Sequence, residues 1–150
     1  MEGSIAPLKE IAVICKRYNV ELLVDEAHAL GILGPEGKGL SFGLSDEITM
    51  ITGTFGKSFG SGGAFIACNS KIGEHLIQTS GAFRYTTALS PALSAGALKS
   101  LQKITANHDW GINLLISSKK WKKEILRNSS YPVKGAVSYT HLTLPTILRV

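Results

Sequence analysis

The chain has 150 residues, of which 44% are hydrophobic, and 16 Lys and Arg against 11 Asp and Glu give a net charge of +5. This length fits one ordinary domain. We expect no membrane partner, because no apolar run approaches the roughly 20 residues that span a bilayer and the sequence shows no signal-peptide pattern. The charge is too small to indicate a nucleic-acid partner, and the two cysteines lie in apolar runs, as is typical of reduced thiols in a cytoplasmic protein.

The beginning of the chain predicts a helix, a strand and a long loop. Pro7 suits a first helical turn, and the pattern that follows it ends at Asn19. The apolar residues that recur at helical spacing, and that would face the core, are Leu8, Ile11, Ala12 and Cys15. The apolar run at residues 20–24 predicts a buried parallel strand that ends at Asp25. Residues 31–43, five of them glycine, predict a loop rather than a regular element. A helix followed by such a strand is half of a βαβ unit, so the pattern favours an α/β fold.

Two further strands flank a loop that carries a single lysine. The β-branched run at residues 48–52, closed by Gly53, predicts a second buried strand. The loop TFGKSFG at residues 54–60 follows it and carries Lys57. GGAFIAC at residues 62–68 predicts a third strand. Lys57 would therefore lie just outside the carboxyl end of a strand, where open α/β sheets bind ligands.

The remainder predicts mostly helices. A helix that Ser70 could cap is expected to run to about residue 81, followed by a short extended piece at residues 84–87. Pro91 begins a helix with one apolar face. The apolar residues of that face are Leu93, Ala97, Leu98, Leu101 and Ile104. A further helix is expected after residues 107–109.

The last segment has a different character. AVSYTHLTLPT, beginning at Ala136, resembles the translation of an adapter used in preparing sequencing libraries. We therefore expect residues 136–150 to be a non-native tail outside the fold. The alternative is a C-terminal strand, which the β-branched residues would allow.

Three side chains that can act on a cofactor are predicted to share one crevice. Asp25 and His28 follow the first strand and Lys57 follows the second, and neighbouring strands lie only about 4.8 Å apart. A lysine amine can form a Schiff base with a pyridine aldehyde, a carboxylate can keep the ring nitrogen protonated, and a histidine can hydrogen-bond the phenolic oxygen. Thr54 offers a hydroxyl to a phosphate. Taken singly, Lys57 could be a surface lysine and His28 a structural histidine, so the prediction depends on their joint spacing.

The motifs around these residues resemble those of a known enzyme family. VDEAHALGILGPEGKG at residues 24–39 and TGTFGKSFGSGGAF at residues 52–65 are similar to motifs of the α-oxoamine synthases, which are fold-type I enzymes that use pyridoxal phosphate. The resemblance extends from EGSIAPL at residues 2–8 to YTTALSPA at residues 85–92. It implies the following cofactor-binding residues: Asp25, His28, Thr54, Lys57, Thr86 and Thr87. It implies three catalytic residues: Lys57, His28 and Asp25.

The resemblance also implies a domain organisation. Residues 1–108 would be the C-terminal part of the cofactor-binding large domain, with a mostly parallel sheet flanked by helices. Residues 109–135 would be a linking helix and the start of a small domain. Because the family's upstream and C-terminal parts are not in this sequence, we expect a piece of a longer enzyme that is inactive alone. Thr86 and Thr87 match a segment that reaches the phosphate of a neighbouring subunit, which implies a homodimer.

Within the family, TFGKSFG followed by SGGAFIAC is most similar to members that condense L-alanine with a pimeloyl thioester, releasing carbon dioxide, in biotin synthesis. In the implied mechanism, alanine displaces Lys57 from the cofactor, and Lys57 then removes the α-proton. Glycine-using relatives, including 2-amino-3-ketobutyrate CoA ligase and 5-aminolevulinate synthase, share these motifs. The amino acid and the acyl thioester therefore stay open between these alternatives.

A different class of protein shares two short strings with this chain. LLVDEAH at residues 22–28 resembles the magnesium-binding strand end of a DEAH-box helicase, and residues 56–58 resemble the end of a P-loop. A P-loop requires a glycine five positions before Gly56, where this chain has Ile51. In helicases the lysine loop also precedes the acidic motif. The spacing therefore disfavours a nucleoside triphosphatase.

Overall fold

A computed structural model describes residues 5–128 and the strand at residues 146–148. Within these residues the helices are α1 (Leu8–Arg17), α2 (Ser70–Thr79), α3 (Gly81–Arg84), α4 (Pro91–Ala106) and α5 (Trp110–Asn128). The strands are β1 (Leu23–Asp25), β2 (Met50–Thr54), β3 (Ala64–Cys68) and β4 (Thr146–Leu148). The glycine-rich segment between β1 and β2 is a loop, as predicted, with one 3-10 turn at Pro35–Gly37.

The four described strands form one sheet in the order β3-β2-β1-β4. Strands β1 and β2 are parallel, with Leu23 opposite Met50 and Asp25 opposite Thr52. Strand β3 is antiparallel to β2, and β4 is antiparallel to β1. The predicted parallel pairing of the first two strands is therefore confirmed, and their carboxyl ends lie at the same edge of the sheet. The sheet was expected to be mostly parallel, whereas over the described residues it is mixed, with one parallel and two antiparallel pairings.

Helix α1 packs on one face of this sheet and forms the described core. Its apolar residues Leu8 and Ala12 are buried together with Leu22 and Val24 of the first strand region. Burying each of the larger side chains contributes roughly 1.5–3 kcal/mol. Asn19 follows the helix with a φ of 50°, a left-handed conformation that asparagine tolerates better than most residues. The predicted helix, its core face and its end are all confirmed.

Strand β2 differs from the prediction, because it lies two residues further along the chain. Gly53 was expected to end the strand at residue 52, yet the strand continues to Thr54. The reason is packing: a Cβ at Gly53 would lie 2.5 Å from Cε1 of Phe65 and 2.8 Å from Cδ1 of Leu30. Glycine is therefore needed at this position of the strand, because any side chain there would overlap with Phe65 and Leu30. As a consequence, Thr54 belongs to the strand and not to the lysine loop.

Smaller differences concern the ends of elements. The strand predicted at residues 20–24 is shorter and forms only at Leu23–Asp25. Asn69, and not Ser70, caps α2, since its side chain accepts a hydrogen bond from the backbone N–H of Ile72. The short extended piece predicted at residues 84–87 is wrong at its first two residues, because Arg84 ends helix α3 and Tyr85 caps that helix with a φ of −106° and a ψ of 4°.

The two long helices form where they were predicted, but most of their residues whose burial is described are exposed. Of the predicted apolar face of α4, Ala97 is buried and Ile104 is half-buried, whereas Leu93, Leu98 and Leu101 are exposed. None of the described helices is long and apolar enough to cross a membrane. The domain boundary proposed at residue 108 stays a prediction.

Part of the segment expected to lie outside the fold is in the sheet. Residues 146–148 of the predicted tail form β4, paired with β1. The rest of that tail, like residues 129–135 of the predicted linking segment, lies outside the described residues. Whether residues 136–150 are native stays untested.

Candidate active site

The side chains predicted to act together lie at the carboxyl ends of β1 and β2. Asp25 is the last residue of β1, and His28 follows it in a tight turn. Lys57 lies three residues beyond the end of β2. Its Nζ atom is 2.6 Å from Nε2 of His28, which is hydrogen-bonding distance. Residues 29 positions apart in the chain are thus brought into contact because two parallel strands end side by side.

The backbone holds the Asp25 carboxylate in place. Its Oδ1 atom accepts a hydrogen bond of 2.8 Å from the N–H of Ala27. The N–H of Glu26 donates to the carbonyl of Thr52 on the neighbouring strand, and the Glu26 carbonyl accepts from the N–H groups of Ala29 and Leu30. The turn that carries His28 is therefore fastened to both strands, which fixes the directions of Asp25 and His28 relative to each other.

Lys57 lies on the connection between the antiparallel strands β2 and β3. Backbone hydrogen bonds close this connection: Phe55 donates to Gly63, Ser61 donates to Phe55, and Gly60 donates to Lys57. The ring of Phe55 packs against those of Phe59 and Phe65, with centroids 5.4 Å apart in both pairs. Phe59 is buried, so the loop has an apolar base. Lys57 itself is exposed, apart from its contact with His28.

The neighbour of Lys57 links its loop to the turn that carries His28. The Ser58 hydroxyl donates a hydrogen bond of 2.6 Å to the carbonyl of Leu30. A Cβ at Gly31 would lie 2.9 Å from the Ser58 hydroxyl, so the two loops are in close contact. Ser58 was not among the residues predicted to act in the site. The signal for Ser58 in the sequence was its position directly after Lys57, the candidate nucleophile.

Glu26 is a second residue without an assigned function. It is 0% exposed, although glutamate is rarely buried without a partner. Its Oε1 atom accepts a hydrogen bond from the N–H of Ser41 in the glycine-rich loop, and within the described residues its Oε2 atom has no partner. The signal in the sequence was a carboxylate directly after a buried strand, which the motif resemblance left without a function.

At its exposed tip, the glycine-rich loop carries an ion pair. Lys38 Nζ lies 2.7 Å from a carboxylate oxygen of Glu36, and both side chains are partly exposed. The hydrogen bond from Lys38, together with its positive charge, lowers the pKa of the Glu36 carboxyl. Because the pair is exposed to solvent, its contribution to stability is small.

A cleft of about 670 Å³ lies on the sheet face opposite α1. Asp25 and Thr54 line it at the edge of the sheet, and helices α2 and α3 form its apolar wall. The apolar residues of that wall include Leu76, Ile77 and Phe83. His28 follows the lining residue Ala27 directly, and Lys57 lies three residues after the lining residue Thr54, but neither of them lines the cleft. The volume is in the range that binds a small cofactor.

The donor set of this edge fits a pyridine aldehyde cofactor. It offers an oriented carboxylate at Asp25, an amine at Lys57 and an imidazole at His28 that contacts the amine. Thr54 fits less directly. Its hydroxyl donates to the Gly63 carbonyl and accepts from the N–H of Gly56, so its hydrogen is already engaged. Its predicted contact with a phosphate stays a prediction.

Thr86 and Thr87 are not brought to this edge by any contact within the described residues. Both lie in an exposed segment between α3 and α4, and neither makes a hydrogen bond with a described residue. This placement leaves their hydroxyl groups open to solvent. Their predicted phosphate contact across a subunit interface is not tested by this structure.

Comparison with protein families finds one match over most of the chain. A family model described as aminotransferase class I and II matches residues 1–131. Among curated proteins, the 8-amino-7-oxononanoate synthase of Marinobacter nauticus is 41% identical over 112 residues, and that of Nitrosospira multiformis is 45% identical over 106 residues. These alignments cover 73% and 69% of this chain but only 28% and 27% of the two relatives.

Solved structures match over a larger share of the chain. A Sphingomonas wittichii serine palmitoyltransferase is 30% identical with a TM-score of 0.80, covering 93% of this chain and 35% of that chain. A serine palmitoyltransferase solved with PLP is 32% identical with a TM-score of 0.76, covering 93% and 35%. The 8-amino-7-oxononanoate synthase of Francisella tularensis is 30% identical with a TM-score of 0.71, covering 92% and 41%.

Proposed function

Because the chain belongs to the aminotransferase class I and II family, we propose that it is part of an enzyme that condenses L-alanine with a pimeloyl thioester. The predicted fold class, part of a fold-type I transferase, is confirmed by the family match and the structural neighbours, and the cofactor of these enzymes is pyridoxal phosphate. The observation that carries the proposal is the 2.6 Å contact between Lys57 and His28, beside Asp25, at the shared edge of two parallel strands.

In the proposed reaction, a C–C bond replaces the Cα–H bond of alanine. The thiol of the thioester leaves, the Cα–carboxylate bond then breaks to release carbon dioxide, and a proton returns to Cα in place of the carboxylate. When bound, pyridoxal phosphate supplies an electron sink for the charge that develops at Cα. The protein must then remove one proton, orient the substrates and hold the cofactor.

Lys57 is the group we assign to proton transfer at Cα. Its amine is exposed to a substrate on one side and contacts His28 on the other. A general base must lie within hydrogen-bonding reach of the proton that it removes, and a second group that orients it increases its effect. We assign that orienting contact, and a hydrogen bond to the ring oxygen of the cofactor, to His28.

Asp25 is the group we assign to the ring nitrogen of the cofactor. One of its oxygens is held by the N–H of Ala27, so the carboxylate has a fixed direction on the wall of the cleft. A carboxylate in hydrogen-bonding contact with the ring nitrogen keeps that nitrogen protonated. For Thr54, Thr86 and Thr87 we retain the proposed phosphate contacts.

The choice of substrates rests on the curated relatives. The two quoted curated relatives, 41% and 45% identical, are both named 8-amino-7-oxononanoate synthase. The solved structures do not separate the activities, because the 8-amino-7-oxononanoate synthase and the serine palmitoyltransferases are 30–32% identical to this chain. The names of the curated relatives support alanine and a pimeloyl thioester, donated by coenzyme A or an acyl carrier protein, and thus biotin synthesis. The reaction of a relative that uses glycine is the second candidate function, because those relatives share the same motifs.

The proposal concerns a longer enzyme. The chain spans 28% and 27% of the quoted curated relatives, and we propose that the full-length enzyme is a cytoplasmic homodimer. The described residues supply the lysine loop, the turn at Asp25 and part of the sheet. Further groups would come from the remaining length and from the second subunit.

The experiment that tests this function measures amino-acid-dependent release of thiol in the full-length enzyme. Thiol release from pimeloyl-CoA should require L-alanine and be much slower with glycine or L-serine. Faster turnover with glycine and a short acyl-CoA would instead support the second candidate. No thiol release with any of these amino acids, in a protein loaded with pyridoxal phosphate, would refute both.

A further inference from the structure

The buried carboxylate of Glu26 has no function in the proposed reaction, yet it connects the parts of the site. It lies between Asp25 and His28 in the chain and is 0% exposed. An unpaired buried carboxylate oxygen opposes folding, and a leucine would avoid that cost. A buried polar group of this kind therefore calls for a physical explanation.

Glu26 holds three pieces of backbone at once. Its N–H bonds to Thr52 on β2, and its carbonyl accepts from Leu30 in the turn around His28. Its side chain accepts from the N–H of Ser41 in the glycine-rich loop. Removing the side chain would leave the first two contacts intact and would remove the hydrogen bond that Ser41 of the glycine-rich loop donates.

The glycine-rich loop is built closely around this carboxylate. Gly39 has a φ of 90°, and a Cβ there would lie 2.8 Å from both Cδ and Oε1 of Glu26. The same loop folds back on the turn, because Gly31 donates to Gly37 and Gly39 donates to Leu33. The side chain of Glu26 is therefore the polar contact around which the loop closes.

Through this turn, the carboxylate is linked to Lys57. Leu30 donates to Glu26 and accepts from the hydroxyl of Ser58, the neighbour of Lys57. Lys57 in turn contacts His28, two residues after Glu26. The contacts thus form a closed ring that runs from Glu26 through Leu30 and the lysine loop to His28 and back.

We propose that Glu26 is a positioning residue: by accepting the hydrogen bond from Ser41, it holds the glycine-rich loop against the turn and so keeps His28 and Lys57 in contact. It touches neither substrate nor cofactor. This inference rests on the proposed function for its kinetic consequence, but its structural consequence is independent of the reaction.

The decisive variants change the acceptor while keeping the size. In the full-length enzyme, Glu26→Leu removes the acceptor, and Glu26→Gln keeps an oxygen that can accept from Ser41. Displacing a catalytic pair by about 1 Å can cost ~100-fold in rate. We expect Glu26→Leu to lower kcat about 100-fold with little change in KM, by that same displacement, and Glu26→Gln to retain most of the activity. Glu10→Leu, at an exposed position of α1, is the control for a lost carboxylate.

A second measurement does not depend on turnover. Amide hydrogen exchange of the cofactor-free protein should be faster over residues 29–41 in Glu26→Leu than in wild type, Glu26→Gln or the control. If Glu26→Leu does not fold, Glu26→Met takes its place, because methionine is of similar length and also lacks an oxygen that can accept from Ser41. We expect it to reproduce both the faster exchange and the lower kcat.

Three outcomes would overturn the positioning function. These are unchanged exchange over residues 29–41 in Glu26→Leu, a normal kcat in Glu26→Leu with a lowered melting temperature alone, and a loss in Glu26→Gln as large as in Glu26→Leu. If wild type itself releases no thiol with any amino acid, the proposed reaction fails, while the exchange experiment still decides the function of Glu26.

Discussion

Two regions of the molecule differ in how deeply their side chains are buried. One lies around the ends of β1 and β2, and the other is the helical region from α3 to α5. In the first region Val24, Glu26, Ala29 and Phe59 are buried. In the second, every residue from 81 to 90 is exposed, and large apolar side chains such as Leu98 at 58% and Trp110 at 51% face outward.

This contrast distinguishes the site residues that are held by contacts within the chain from those that lie exposed on its surface. Contacts within the chain join Lys57 to His28 and fix Asp25. Thr86 and Thr87, which the family resemblance also assigns to the cofactor, lie in the uncovered region. Contiguous exposed apolar surface marks places where other protein packs. Within the proposed site, the contacts of the first part are therefore preformed, and we expect the second part to need contacts from additional protein.

The largest effect is expected from removing the amine of the preformed region. In the full-length enzyme, Lys57→Ala should abolish covalent attachment of pyridoxal phosphate after borohydride reduction, because the amine that bonds to the cofactor is gone. Mass spectrometry of the reduced protein measures this directly. Lys71→Ala, an exposed lysine on α2, serves as the matched control and should keep the adduct. An adduct persisting in Lys57→Ala would mean that another lysine holds the cofactor.

A smaller but still large effect is expected at Asp25. Asp25→Asn should retain cofactor binding and lose most turnover, because an amide does not keep the ring nitrogen protonated. The barrier should rise by several kcal/mol, where each ~1.4 kcal/mol is tenfold in rate. Steady-state kinetics together with a cofactor titration would separate binding from turnover. Asp46→Asn, at an exposed position, is the control, and turnover near wild type in Asp25→Asn would assign Asp25 a different function.

In the uncovered region, substitutions should change association more than stability. The 150-residue chain should be inactive alone and associate in solution through its exposed apolar faces. Leu98→Lys combined with Leu101→Lys should reduce association measured by light scattering, and it should change the free energy of unfolding by no more than about 0.5 kcal/mol per site. Lys99→Leu should increase association. A wild-type chain that is monomeric at high concentration would contradict the inference that the exposed helical region packs against other protein.

The smallest effect is expected from the tail. Removing residues 136–150 deletes β4 and its pairing with β1. We expect the melting temperature to stay unchanged, because these residues resemble a non-native tail and β4 is only a three-residue strand at the edge of the described sheet. Val24→Ala, which opens a cavity in the core, is the positive control and should lower it. A fall of more than about 4 °C on truncation, roughly 1 kcal/mol for a chain of this size, would show that β4 stabilises the sheet.

Periodicity and spacing were sufficient for the elements that bury an apolar face. Helix α1 was predicted with its core residues because Leu8 and Ala12 repeat at helical spacing, and the parallel pairing of β1 with β2 followed from a helix and strand in succession. The contact between Lys57 and His28 was also predictable, because parallel strands end side by side. Each of these predictions came from local patterns, namely helical spacing and the polar residues that follow each strand, so the sequence by itself determined them.

Other features depended on residues distant in the chain, so only the tertiary structure decided them. Strand β2 passes through Gly53 because Phe65, on another strand, packs over it. Glu26 is buried because the loop at Gly39 and Ser41 folds back onto it. The hydroxyl of Thr54 is engaged by a carbonyl nine residues away. A sequence pattern reports the preferences of neighbours along the chain, whereas these positions are set by the packing of segments that meet only after folding.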